Sequence, residues 1–88
     1  MNNKQILGAL AMDLKRIAIG YFRGSNGMAV SFYEEALKRS NEIDKTNLKP
    51  YLVKLLKEIE SLNTKDKARA AEDALMYSTL FQNASTTS

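Results

Sequence analysis

The sequence predicts an all-α protein, an antiparallel up-down-up-down four-helix bundle, and three observations carry that prediction. Apolar side chains recur three and four residues apart along four successive stretches, the period of one buried helix face. The connections between the stretches are only a few residues long, which sets consecutive helices side by side and antiparallel. The composition, 44% hydrophobic and 26% charged, is that of a soluble globular chain, and 88 residues make one domain at most. The main rival arrangement is three helices with the fourth exchanged between subunits.

The first helix is expected over about 3–22. Ile6, Leu10, Leu14, Ile17 and Tyr21 fall on one stripe, with Leu7 and Ala18 on its shoulder. Arg23-Gly24 ends it, because glycine takes the left-handed conformation that closes a helix and arginine suits the negative end of the dipole. The second helix is expected over about 26–42, capped by Ser25 or Asn26, with Ala29, Phe32, Tyr33, Ala36, Leu37 and Ile43 on its inner face. Glu34 with Lys38 and Glu35 with Arg39 stand at a favourable spacing on its outside.

The third helix is expected over about 48–62, capped by Thr46 or Asn47, with Pro50 tolerated in its first turn. Leu48, Leu52, Leu55, Ile59 and Leu62 make the cleanest stripe of the chain. Asn63-Thr64 breaks and recaps, and a fourth helix is expected over about 65–82. Its inner arc reads Ala68, Ala70, Ala71, Ala74, Leu75, Tyr77 and Phe81, small residues that permit close approach, with aromatic bulk near the end. The domain thus covers 1–82, and the small polar residues 83–88 are expected to form a flexible tail.

A chain this short buries only about 60 to 65% of its unfolded surface, so stability is expected to be thin and helped by oligomerisation. There is no cysteine, which removes disulfides and thiolate metal sites and fits a reducing compartment. The apolar run Ile6 to Met12 is too short for a secretory signal and leads into Asp13, Lys15 and Arg16. No stretch reaches the 18 or so apolar residues of a membrane span, so a cytoplasmic protein is expected. The net charge of +3 alternates by segment: residues 1–23 and 45–69 are basic, residues 24–44 and 70–88 acidic.

Catalytic chemistry is poorly served. Without histidine or cysteine there is no Ser-His or Cys-His pair, no nitrogen and sulfur zinc site, and no Glu-x-x-His di-iron motif. Glu34-Glu35 and Glu72-Asp73 are adjacent in sequence, so on a helix each pair diverges by about 100° and cannot share a proton or a metal. Gly24-Ser25-Asn26-Gly27 lacks the preceding strand and the lysine of a phosphate loop and reads as a turn. No enzyme, cofactor or metal is therefore expected. Lys45, Lys49, Lys54, Lys57, Lys65, Lys67 and Arg69 form a basic face around the third helix, a weak nucleic-acid candidate because Glu58, Glu60 and Asp66 interrupt it.

Tyr21, Phe22, Phe32 and Tyr33 flank the first turn, where they either plug one end of the bundle or line a groove for a partner's peptide. Ala29, Tyr33, Ala36 and Leu37 spell A-x-x-x-Y-x-x-A-L, with Gly24 five residues upstream. Over about 14 residues this resembles the second helix of a tetratricopeptide or microtubule-interacting-and-trafficking module. The resemblance implies close helix pairing and peptide binding.

One apolar surplus remains. Met12 and Ile19 point away from the inner stripe of the first helix, among Gln5, Lys15, Arg16 and Arg23, and Met76 and Leu80 do the same on the fourth. Pairing Phe22 with about Asp66 would merge Gly8, Met12, Ile19, Met76 and Leu80 into one surface strip. The expected function is a small non-enzymatic interaction or regulatory module, homodimeric through this strip. The alternative is a monomeric adaptor that docks a peptide or helix of another protein.

Overall fold

The computed structural model describes residues 2–87, and among them it is all-helical, with four α-helices and two 3-10 turns. Helix α1 runs Asn3–Phe22 and α2 runs Asn26–Glu42. Asn2 and Gln5 start α1 with a capping box, the Asn2 side chain accepting from the Gln5 N–H at 2.9 Å and the Gln5 side chain from the Asn2 N–H at 3.2 Å. At its end Gly24 adopts φ +71°, while the Gly24 N–H bonds to the Tyr21 carbonyl and the Ser25 N–H to the Gly20 carbonyl. This is the glycine closure that the sequence predicts, in its Schellman form. Ser25 takes the cap position of α2 but contributes no side-chain hydrogen bond.

Helix α3 is shorter than the sequence suggests, Pro50–Ile59 rather than 48–62. Proline crowds the residue before it out of the helical region, and Lys49 accordingly sits at φ −61°, ψ 142°. Leu48 therefore lies outside the helix, after a 3-10 turn over Lys45–Asn47 that the Asp44 side chain caps by accepting from the Thr46 N–H at 3.0 Å. A second 3-10 turn, Leu62–Thr64, follows α3. Here the Ser61 hydroxyl donates to the Glu58 carbonyl and the Thr64 hydroxyl to the Ser61 carbonyl, competing with continuation of the helix.

Helix α4 runs Lys67–Thr86, four residues beyond the expected end, and it is capped by Asp66 rather than by Asn63 or Thr64. The Asp66 side chain accepts from the Arg69 N–H at 2.9 Å. The predicted tail is helical over Asn83 to Thr86 because Ala84 packs against the core and the hydroxyls of Ser85 and Thr86 bond back to the Gln82 carbonyl.

Helix α1 is the hub, packing most extensively with α4 and then with α2. The contacts of α1 with α2 and the residues just after it run in reverse order: Asn3 with Asp44, Asp13 with Arg39, and Gly20 with Ala29. Contacts with α4 do the same, the Ser78 hydroxyl donating to the Ala11 carbonyl at 2.7 Å while Gly8 faces Ser85. Because it is covered on two sides, α1 buries a wide arc that includes Ala11, Asp13 and Gly20 as well as the predicted stripe. Leu10, Leu14, Ile17, Ile59 and Phe81 form the centre of the core. The inner arc of α4 is Ala70, Ala71, Ala74, Tyr77, Ser78 and Phe81, whereas Ala68 and Leu75, both expected inside, are exposed.

Close approach of α1 and α2 depends on Gly20. A Cβ there would stand 2.9 Å from the Ala29 backbone nitrogen. This is the close pairing that the A-x-x-x-Y-x-x-A-L resemblance implies, with Gly20 supplying the missing volume on the facing helix. Tyr33 of the same motif is buried, its hydroxyl 2.9 Å from the carbonyls of both Ile59 and Glu60, and so it satisfies the end of α3 from α2.

Candidate functional site

Met12 and Leu75 are the apolar side chains that α1 and α4 leave beside one another in solvent. They are 45% and 43% exposed and share an open groove of about 390 Å³ with Lys15, Ser78, Thr79 and Gln82. The groove exists because α1 and α4 meet through small groups. Ala11 and Ala71 are buried, and Ser78 reaches the α1 backbone, leaving the bulkier Met12 and Leu75 on the rim.

The predicted strip is only partly assembled. Gly8 packs near Ser85 rather than beside Leu80, Ile19 is half-buried, and Met12 stands by Leu75 and Thr79 instead of Met76. Met76 is exposed and Leu80 half-buried, but neither lines the groove. At 100° per residue, Leu75 and Leu80 sit about 140° apart around α4, so one surface cannot hold both with Met12. The register of α4 against α1 lies a few residues from the one the sequence predicts, and Leu75 is on the rim rather than in the core.

The aromatic set is dispersed in role. Tyr33 is buried, Tyr21 and Phe32 are half-buried against the core, and Phe22 alone of the four is exposed, at 62%. The Arg16 guanidinium stands 5.3 Å from the centre of the Phe32 ring, a cation–π contact on the outer edge of the α1–α2 seam. In the basic segment, Lys65 pairs with Asp73 and stands over the Tyr77 ring, and Arg69 lies 3.8 Å from the same carboxylate. The bond to Asp73 raises the Lys65 pKa above its ordinary value, so this cation is held against the bundle.

One buried charge lies where the sequence analysis predicts none. Asp13 is 3% exposed and accepts from Arg39 Nε at 2.6 Å. The expected Glu35–Arg39 pair gives way to this cross-helix bond, and Glu35 lies 3.8 Å from Lys38 instead. A sequence signal existed, because Asp13 borders the core stripe of Leu10, Leu14 and Ile17 on α1, where a carboxylate that becomes buried requires a cation. Burial raises the Asp13 pKa, while the Arg39 bond and charge oppose that shift.

Among the described residues no group of three or more acidic, histidine or cysteine side chains is arranged to hold a metal ion. Among the same described residues no helix is long and apolar enough to cross a membrane. Comparison with protein-family models, with curated proteins and with solved structures returns no match.

Proposed function

We propose that this chain is a small non-enzymatic protein-interaction module, an antiparallel up-down-up-down bundle that forms a homodimer through the outward faces of α1 and α4. The observation that carries the dimer is the adjacency of Met12 and Leu75, two large apolar side chains nearly half exposed on neighbouring helices. A second copy covers both with one two-fold contact, and a domain this small gains stability from that burial. The reversed contact order of α1 with α2 and with α4 supports the topology. The lack of histidine and cysteine supports a binding role over a catalytic one and fits a cytoplasmic setting.

Sedimentation equilibrium over micromolar to millimolar concentration tests the reading. The expected result is a monomer–dimer equilibrium that Met12→Lys and Leu75→Lys shift towards monomer, with helical content unchanged by circular dichroism. A wild-type protein that stays monomeric throughout overturns it and leaves the groove to a helix or peptide of another protein.

A further inference from the structure

The charges beside the Met12–Leu75 groove differ between its two helices. On the α1 side, Lys15 lines the groove and is exposed, and the nearest acid on that helix, Asp13, is buried against Arg39. On the α4 side, Glu72 is exposed one turn before Leu75, and residues 70–88 hold no basic group. Among the described residues neither Lys15 nor Glu72 is in an ion pair.

Resting on the dimer proposed above, we infer that its two-fold axis runs along the groove, parallel to α1 and α4. Each Lys15 then faces Glu72 of the other copy. An axis in that direction places α1 of one copy over α4 of the other at an unchanged level along the bundle. The contacts of Ala11 with Ser78 and of Gly8 with Ser85 put Lys15 level with about Leu75. Glu72 is three residues, or about 4.5 Å, further along, within the reach of a lysine side chain. Met12 of each copy meets Leu75 and Thr79 of the other, so the apolar contact closes between two such ion pairs. An axis in the same plane but perpendicular to the helices would set α1 on α1 and bring Lys15 towards its own copy. Like-charge juxtaposition disfavours that alternative. The charge pattern therefore selects one of the two ways in which this face can pair with itself.

Charge exchange measured by sedimentation equilibrium at low and high salt tests the geometry. Lys15→Glu and Glu72→Lys, each of which makes both pairs repulsive, are expected to raise the dimer dissociation constant about tenfold at low salt and less at high salt. The double variant Lys15→Glu with Glu72→Lys restores it to within about threefold of wild type. A double variant no better than the worse single one overturns the parallel axis while leaving the dimer in place. Absence of any dimer in the wild type overturns the dimer itself.

Discussion

Arg39 Nε and the Asp13 carboxylate meet at 2.6 Å across the α1–α2 seam, with the Asp13 side chain 4% exposed and Arg39 31%. The pair pins the middle of the seam, and the Asn3–Asp44 bonds of 2.7 and 3.0 Å pin its lower end. Arg39→Ala strands a buried carboxylate and is expected to cost about 2 to 3 kcal/mol. That is below the full cost of breaking a buried pair because Arg39 is partly solvated. Asp13→Leu combined with Arg39→Met, which replaces both charges by apolar groups, is expected to recover most of that loss. Urea denaturation followed by circular dichroism gives both values.

The same carboxyl carries a pH signature. Burial raises its pKa above the ordinary 3.8, so the folded protein holds this proton more tightly than the unfolded chain. The stability that Asp13 contributes is then fully present below about pH 4 and is lost as pH rises through the raised value. Asp44 has the opposite sign, because hydrogen bonds from Thr46 lower its pKa and its contribution is lost as pH falls through the lowered value. The stability of wild type minus that of Asp13→Asn is therefore expected to shrink between about pH 3.5 and pH 7. A difference that grows over this range would show that Arg39 outweighs burial.

Two glycines are expected to respond oppositely to alanine. At Gly20 the added Cβ meets the Ala29 backbone nitrogen at 2.9 Å, and separating the helices is expected to cost about 1 to 3 kcal/mol despite better helix propensity. At Gly27, in the first turn of α2, a Cβ meets nothing within 4 Å, and the same change is expected to stabilise by about 0.5 kcal/mol. Thermal unfolding of the two variants side by side checks the sign of each.

Tyr33→Phe tests the side-chain closure of α3. It removes a buried hydroxyl shared between the Ile59 and Glu60 carbonyls and is expected to cost about 1 to 2 kcal/mol. Amide exchange is expected to quicken most in the segment from Glu60 to Lys65, with α1 unaffected. Uniform quickening over all four helices would instead indicate a purely global effect of burial.

Much of this fold was legible in local chemistry. The bounds of α1 and α2 follow from Gly24 and from the apolar period, since a left-handed glycine and a 3.6-residue repeat act within a single turn. The N-terminal shortening of α3 was equally legible, because Pro50 constrains its own neighbour even though the apolar stripe runs on from Leu48 to Leu62. The end of α4 was not legible. Asn83, Ser85 and Thr86 are weak helix formers, and they are helical here with Ala84 against the core and Ser85 facing Gly8.

The candidate surface divides the same way. That α1 and α4 each carry surplus apolar side chains is written in the sequence, because the angular position of a residue on a helix depends only on its number. Which of those side chains meet depends on the offset between two helices distant in the chain, and that offset is set by packing, here by Ser78 on the Ala11 carbonyl and Gly8 against Ser85. It moved Leu75 to the rim beside Met12 and left Met76 and Leu80 outside the groove. The sequence by itself determined a helical chain, the places where α1 and α2 start and stop, and most of the core. Only the tertiary structure decided the partner of Arg39, the register of α4, and so the two residues at the centre of the exposed face.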